Sequence, residues 1–110
     1  MENIKLNQLV YDSNGLIPTI AQERSTKEIL MVAYSNEESI KKTLESGKAH
    51  FWSRSRNKLW MKGETSSNYL NLFQIYTDCD NDTLIFEVEL YGKSACHTGS
   101  KSCFFKKLEQ

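Results

Sequence analysis

The stretch TLIFEVEL, residues 83–90, carries an apolar side chain at every second position. In an extended chain these side chains share one face, which consists of Leu84, Phe86, Val88 and Leu90. The opposite face carries Glu87 and Glu89. A period of two with charge on one side predicts an antiparallel strand that lies half in a core and half in solvent.

Further segments with strand composition lie before and after a short stretch of helical pattern. TIAQE and EILMVAY, residues 19–23 and 28–34, are separated by RSTK, a polar connector of hairpin length. HFWSRS, LWMKG and NYLNLFQIYT, between residues 50 and 77, are rich in aromatic and β-branched residues. We therefore expect a hairpin early in the chain and further strands in its second half.

The helical stretch is SNEESIKKTLESG, residues 35–47. Ser35 and Glu38 have the spacing of a capping box, which predicts that the helix begins after Ser35. Ile40 and Leu44 share a face at four-residue spacing, and Gly47 suits the left-handed conformation that ends a helix. The sequence predicts one main helix.

These elements together predict an α+β fold, with a small, mostly antiparallel β-sheet of roll or barrel-like form. A chain of 110 residues is enough for one domain, so we expect a single domain over residues 1–110. A Gly/Ser-rich loop should follow the strand at residues 83–90 and end in a short strand around CFFKKL, residues 103–108. So small a core would gain from burying more surface by self-association.

Charge and hydropathy exclude several classes of protein. Lys and Arg total 14, as do Asp and Glu, so bulk charge does not attract nucleic acid or anionic membrane. The amino-terminal segment has no apolar run of signal-peptide length, and no stretch approaches the roughly 18 apolar residues of a membrane span. We expect a cytoplasmic protein.

The segment DCDND, residues 78–82, concentrates carboxylates in a predicted turn. Asp and Asn favour turns because their side chains hydrogen-bond nearby backbone, so a solvated turn is one interpretation. Asp78, Asp80 and Asp82 could also offer oxygen ligands to Mg²⁺, and they would repel one another without a cation. An EF-hand calcium loop is excluded, because Thr83 occupies the position that needs glycine and the flanking segments are strands.

Three cysteines, Cys79, Cys96 and Cys103, leave two interpretations open. Zn²⁺ prefers sulfur and nitrogen ligands, and catalytic zinc sites usually combine three protein ligands with water. The spacing differs from that of CxxC knuckles, so buried structural thiols are the other interpretation. His97 directly follows Cys96 in a loop between two glycines, which makes it a candidate general base.

Residues 50–66, HFWSRSRNKLWMKGETS, interleave basic and aromatic side chains. One interpretation is an edge hairpin whose basic residues lie in solvent. Another is a site for a phosphorylated ligand with an aromatic ring, since arginine binds phosphate bidentately and tryptophan stacks on a base. Single-stranded nucleic acid would need the same residue types over a longer surface. The candidate substrate-binding residues here are Trp52, Arg54, Arg56, Trp60 and Lys62.

Three segments in this order and at this separation, HFWSRSRNKLWMKGETSSN, DCDND and ACHTGSKSC, resemble the phosphoribosyl-AMP cyclohydrolase family of histidine biosynthesis. The resemblance runs from about Gly15 to Phe105 and includes LMVAYSNEESIKKTLESGKAHFWSRS. It therefore covers most of the chain. It implies that residues 1–110 form one phosphoribosyl-AMP cyclohydrolase domain.

The resemblance also implies two metals and a catalytic histidine. In family motifs the aspartates bind Mg²⁺, the cysteines bind Zn²⁺, and the histidine beside the second cysteine is linked with catalysis. The positions here that match are Asp78, Asp80 and Asp82 for magnesium, Cys79, Cys96 and Cys103 for zinc, and His97 for catalysis. Family members are homodimers whose zinc site draws cysteines from both subunits, which implies an intertwined homodimer.

This chain departs from the family pattern at three positions. Ser67 stands where glycine is common, Ser94 where proline is common, and Ser100 where arginine is common. The last departure affects an expected phosphate contact, and Lys101 is the predicted substitute.

The implied reaction is hydrolysis of 1-(5-phosphoribosyl)-AMP. Water adds to C6 of the adenine and the bond from C6 to N1 breaks. Zinc would activate the water, because it lowers the pKa of bound water toward about 7. The alternative is a zinc-stabilised module that binds nucleotide or single-stranded RNA without catalysis.

Overall fold

A computed structural model describes residues 2–110 of the chain. These residues form a short 3-10 helix, one α-helix and six strands. In chain order they are the 3-10 helix Leu6–Gln8, β1 Ile17–Glu23, β2 Ile29–Ser35, α1 Glu37–Ser46, β3 His50–Ser53, β4 Lys58–Met61, β5 Tyr69–Thr77 and β6 Leu84–Tyr91. The predicted α+β class, with one main helix, is confirmed.

Four strands form the main sheet in the order β2-β1-β6-β5, and β3 and β4 form a separate two-stranded sheet. The predicted β1–β2 hairpin is confirmed, with Ile17 opposite Ser35. β6 pairs antiparallel with β5, as predicted, but it pairs parallel with β1. The sheet is open, with β2 and β5 at its edges, so the barrel-like form expected from the sequence is not closed.

The alternation of residues 83–90 is confirmed on its apolar face. Leu84, Phe86 and Val88 are fully buried in the core. The opposite face differs from the prediction, because the Glu87 side chain is only 12% exposed. Lys27 in the β1–β2 turn forms an ion pair with it at 3.5 Å, which compensates the burial of the carboxylate.

The β3–β4 hairpin covers the core over β6. Phe51 of β3 is fully buried, and its ring stacks on that of Phe86 with 5.6 Å between centroids. Trp60 of β4 packs against Phe51 at 5.3 Å. The α-helix contacts β2, β3 and β4. The basic and aromatic segment is therefore anchored in the core through one of its aromatic rings.

The predicted capping box is wrong by one residue. Asn36 is the N-cap, because its Oδ1 accepts a 2.8 Å hydrogen bond from the Ser39 backbone, and the Ser39 side chain returns a bond to Asn36. Ser35 is instead the last residue of β2, and its hydroxyl pairs with that of buried Thr19 at 2.7 Å. Gly47 ends the helix in the left-handed conformation, φ 75°, as predicted. Of the predicted apolar pair, Ile40 is buried but Leu44 is exposed, so only one of the two side chains reaches the core.

The predicted strand around residues 103–108 is absent from the described chain. The Cys103 amide donates to the Leu30 carbonyl at 2.7 Å, and residues 104–110 then form no regular structure. Phe104, Phe105 and Leu108 are exposed. A strand needs a neighbouring strand for its hydrogen bonds, and this segment pairs with none.

Within residues 2–110 no helix is long and apolar enough to cross a membrane.

Candidate functional site

The acidic turn between β5 and β6 brings three carboxylates together, as the sequence predicted. Asp78 Oδ1 accepts hydrogen bonds from the backbone amides of Asp82 at 3.0 Å and Thr83 at 3.2 Å, which closes the turn. Potential ligand atoms of Asp78, Asp80 and Asp82 all lie within 4.8 Å of one another. The turn is exposed, so a cation could reach all three.

Two carboxylates of this turn have pKa values that are shifted in opposite directions. Contact with the Asp80 carboxylate, and next with that of Asp78, raises the pKa of Asp82. Desolvation acts to raise the pKa of Asp78 too, but hydrogen bonds led by the Asp82 amide outweigh it and lower that pKa. Mutual repulsion thus opposes full ionisation of the turn. A divalent cation would remove this penalty, because oxygen ligands from carboxylates suit Mg²⁺.

The loop after β6 folds back on itself and carries the second and third cysteines. The Ala95 amide donates to the Lys101 carbonyl at 2.9 Å, and the Cys96 amide donates to the Ser100 carbonyl at 3.2 Å. Cys96 is buried, whereas Cys103 is more exposed. We call residues 94–103 the cysteine loop.

The two thiols of the cysteine loop differ in acidity. Thr98 Oγ1 donates a 3.0 Å hydrogen bond to Cys96 Sγ, and this bond is the main cause of a lowered pKa of the Cys96 thiol. Partial desolvation of its sulfur, in a residue that is exposed overall, is the main cause of a raised pKa of Cys103, and the proximity of the two thiols contributes to both shifts. The positive charge of Lys62 lowers both pKa values. The loop therefore places a thiol of lowered pKa beside a second thiol.

The first cysteine does not join this pair within residues 2–110. Cys79 lies exposed in the acidic turn, at the rim of a cavity of about 530 Å³ between the amino-terminal segment and α1. The three aspartates are the only group of three or more His, Cys, Asp or Glu residues in the described chain whose potential ligand atoms lie mutually within 4.8 Å. One copy of the described chain therefore does not assemble a three-thiol site.

Four of the predicted substrate residues line one open cleft of about 790 Å³ between β2 and the β3–β4 hairpin. They are Trp52, Arg54, Arg56 and Trp60. The Arg54 guanidinium lies 4.0 Å from the centroid of the Tyr34 ring, which also lines the cleft. Both arginines are exposed. Aromatic walls with two exposed arginines are the residue types that bind a phosphorylated base.

The other predicted site residues lie outside this cleft. Lys62 is close enough to both cysteine-loop thiols to affect their acidity, and His97 is exposed in the same loop. Lys101 forms ion pairs with Glu23 at 2.7 Å and Glu28 at 3.2 Å. Hydrogen bonds to these carboxylates, led by Glu23, raise the pKa of Lys101. A substrate phosphate would have to compete with two carboxylates for this lysine.

Sequence reasoning assigned no role to Asn68, although it closes one of the quoted motifs. Asn68 Oδ1 accepts a 3.1 Å hydrogen bond from the Lys93 amide, and its Nδ2 donates to Ser94 Oγ at 3.4 Å. Gly92 has φ 117°, and a Cβ there would overlap Asn68 Oδ1. Asn68 thus supports the start of the cysteine loop. The contact spans 25 positions of sequence, so no local pattern indicates it.

Comparison with known proteins confirms the family resemblance noted in the sequence. The family model described as "Phosphoribosyl-AMP cyclohydrolase" matches residues 31–105. A phosphoribosyl-AMP cyclohydrolase of Archaeoglobus fulgidus is 57% identical over 102 residues, which cover 93% of this chain and 94% of the relative. One of Desulfotalea psychrophila is 52% identical over 97 residues, covering 88% of this chain and 76% of the relative.

Longer relatives match as well. A histidine biosynthesis bifunctional protein of Aquifex aeolicus is 51% identical over 102 residues, 93% of this chain. This chain spans half the length of that protein.

Proposed function

The chain belongs to the phosphoribosyl-AMP cyclohydrolase family, and we propose that it opens the adenine ring of 1-(5-phosphoribosyl)-AMP by hydrolysis of the C6–N1 bond in histidine biosynthesis. The observation that carries the proposal is the 57% identity to a phosphoribosyl-AMP cyclohydrolase over 93% of the chain. The thiol pair of the cysteine loop and the three clustered carboxylates supply the two kinds of metal ligand that this chemistry needs.

The donor set of the cysteine loop fits zinc. The pKa of Cys96 is lowered by its hydrogen bond from Thr98, Cys103 lies beside it, and thiolate sulfur is a preferred ligand of Zn²⁺. Cys79 lies in a different part of the chain. We assign it as the third ligand, contributed by a second copy. When bound, zinc supplies a Lewis acid that makes water nucleophilic near neutral pH.

This assignment makes the active unit a homodimer. In a two-fold dimer each acidic turn faces the cysteine loop of the other subunit, so two equivalent sites form. The exposure of Cys79 and Cys103 leaves both thiols available for such a contact. The exposed tail residues Phe104 and Phe105, next to Cys103, are also available to be buried there.

The remaining residues bind and orient the substrate. Arg54 and Arg56 bind phosphate in the cleft, and Trp52 and Trp60 offer ring faces to the base. Asp78, Asp80 and Asp82 would hold Mg²⁺, and the bound cation would supply positive charge for the substrate's phosphate groups.

His97 moves the proton. It is exposed in the cysteine loop next to Cys96 in sequence, so its imidazole is accessible to water and to a bound substrate. A neutral imidazole accepts a proton from the attacking water, and the imidazolium then returns it to the leaving N1.

An absorbance assay with phosphoribosyl-AMP, Zn²⁺ and Mg²⁺ tests the proposal. We expect the chain to turn over the substrate and Cys96→Ser to lose turnover. Lys42→Ala, on the exposed face of α1, serves as a control that keeps it. Nucleotide binding without turnover in the unmodified, metal-loaded chain would contradict the proposal in favour of a binding module.

A further inference from the structure

The cysteine loop is attached to the β1–β2 hairpin at its carboxyl end. Ser102 Oγ donates to the Ile29 carbonyl at 2.6 Å, and the Cys103 amide donates to the Leu30 carbonyl at 2.7 Å. Both acceptors belong to the start of β2, at the edge of the main sheet. The backbone of Cys103 is therefore held by the sheet, whereas Cys96 depends on the folding of the loop itself.

One side chain near the carboxyl end of the loop also joins it to the same hairpin. Lys101 Nζ lies 2.7 Å from Glu23 Oε1, at the end of β1. The Lys101 carbonyl in turn accepts the 2.9 Å hydrogen bond from the Ala95 amide that closes the loop next to Cys96. The position of Lys101 thus determines where both ends of the loop meet.

The Glu23 carboxylate is more buried than that of an ordinary surface acid and is hydrogen-bonded within its own hairpin. Its side chain is 8% exposed, and Thr26 Oγ1 donates a 2.8 Å hydrogen bond to it. The Lys101 side chain is 42% exposed. A carboxylate this buried is destabilising unless it is paired, so the fold favours the conformation in which Lys101 reaches it. The hydrogen bond from Lys101 is the main cause of a lowered pKa of Glu23.

We propose that Glu23 is a positioning residue for the thiol pair of Cys96 and Cys103, and that it acts through its ion pair with Lys101. The inference rests on the proposed function, in which these two thiols bind zinc. It also changes the role expected of Lys101. With two carboxylates around its ammonium group, Lys101 holds the loop in place and does not bind substrate phosphate.

A buried acid elsewhere in the sheet provides a matched control. Glu87 is 12% exposed and also pairs with a lysine, Lys27, at 3.5 Å. Lys27 lies in the β1–β2 turn and not in the cysteine loop. Glu87→Gln therefore removes a similar charge from a similar environment without releasing the loop.

The test measures metal binding by the full-length chain with Co²⁺ as probe, through the thiolate-to-cobalt absorption band. Glu23→Gln and Lys101→Met should each weaken Co²⁺ affinity by about tenfold, the lower end of what loss of a supporting contact usually causes. The double variant should lose no more than Lys101→Met alone, because Lys101→Met already removes the ion pair with Glu23, together with the one to Glu28. Glu87→Gln should keep the affinity of the unmodified chain.

Thermal unfolding distinguishes positioning from a merely structural role. If both variants, Glu23→Gln and Glu87→Gln, have a lower melting temperature and keep full Co²⁺ affinity, Glu23 only stabilises the fold and the inference is overturned. Additive losses in the double variant would also overturn it. Should Glu23→Gln fail to fold, Lys101→Met gives the same readout, because its side chain lies partly in solvent.

Steady-state kinetics separate the two roles of Lys101. A positioning role predicts that Glu23→Gln reproduces the kinetic effect of Lys101→Met, mainly on kcat. A phosphate-binding role predicts that Lys101→Met raises KM while Glu23→Gln does not. If the unmodified chain shows no thiolate-to-cobalt band, the proposed zinc site is wrong and this inference falls with it. A normal band with unaffected variants refutes the inference alone.

Discussion

Thr98 Oγ1 donates a 3.0 Å hydrogen bond to Cys96 Sγ, two residues earlier in the cysteine loop. This bond stabilises the thiolate form and is the main reason why the pKa of Cys96 is lowered. The residue type at position 98 therefore tunes a proposed metal ligand without contacting the metal.

Thr98→Val should raise the pKa of Cys96, because it removes the hydroxyl and keeps the shape of the side chain. In the metal-free chain, alkylation of Cys96 by iodoacetamide depends on the thiolate, so its pH midpoint should move upward and its rate at pH 7 should fall. Peptide mass spectrometry reports the rate for this cysteine alone. Thr98→Ser, which keeps the hydroxyl, should behave as the unmodified chain, and an unchanged midpoint in Thr98→Val would contradict this explanation.

Complementation tests the proposed shared zinc site. Cys79→Ser and Cys96→Ser should each be inactive, but a hybrid dimer of the two has one site with all three cysteines intact. Random mixing after unfolding and refolding should restore about one quarter of normal turnover, since half of the dimers are hybrids with one of two sites intact. If all three ligands belonged to one chain, mixing would restore nothing. Cys96→Ser mixed with Cys103→Ser is the control and should stay inactive.

His97→Ala should reduce kcat by about 10² to 10⁴, the usual contribution of a positioned acid or base. Zinc stoichiometry and native mass should not change, because His97 is not among the proposed ligands. Lys93→Ala, exposed just before the same loop, should keep kcat. Loss of zinc in His97→Ala would identify the histidine as a ligand or its support, and a near-normal kcat would remove it from the mechanism.

Asp80→Asn should weaken the dependence of activity on Mg²⁺ and leave zinc content intact. Removal of one carboxylate lowers the negative charge offered to a hard cation and leaves the sulfur ligands unaltered. A magnesium titration of activity, with zinc measured by elemental analysis, checks both expectations. Glu45→Gln removes one charge from the exposed side of α1 and should leave the titration unchanged. Loss of both metals together would show that the two sites are not separate.

Ser67→Gly should stabilise the fold by about 0.5–1 kcal/mol, because Ser67 has φ 64° and a non-glycine residue is strained there. This is the position where the family pattern commonly has glycine. Urea unfolding at pH 7 measures the change. Ser13→Gly, at an exposed position whose φ is not positive, should be slightly destabilising. A loss of stability in Ser67→Gly would mean that the serine side chain makes a contact that outweighs the strain.

Local sequence patterns determined much of this protein. Short-range spacing predicts the helix that ends before Gly47, the early hairpin and the acidic turn. It also predicts the apolar face of β6, because periodicity indicates which side of an element is buried. The clustering of Asp78, Asp80 and Asp82 is likewise local, since one tight turn brings alternate residues together.

Tertiary structure decided what depends on distant neighbours. β6 lies parallel to β1, Glu87 is buried beside Lys27, and Ser35 ends β2 opposite Ile17 with its hydroxyl paired to that of Thr19. Residues 103–108 have strand composition but no neighbouring strand with which to pair, so they stay irregular. The sequence does not indicate a partner for Lys101, and only the fold brings Glu23 and Glu28 next to its ammonium group. Hydrogen bonds and ion pairs between remote residues depend on the packing of the whole chain, and no short pattern encodes them.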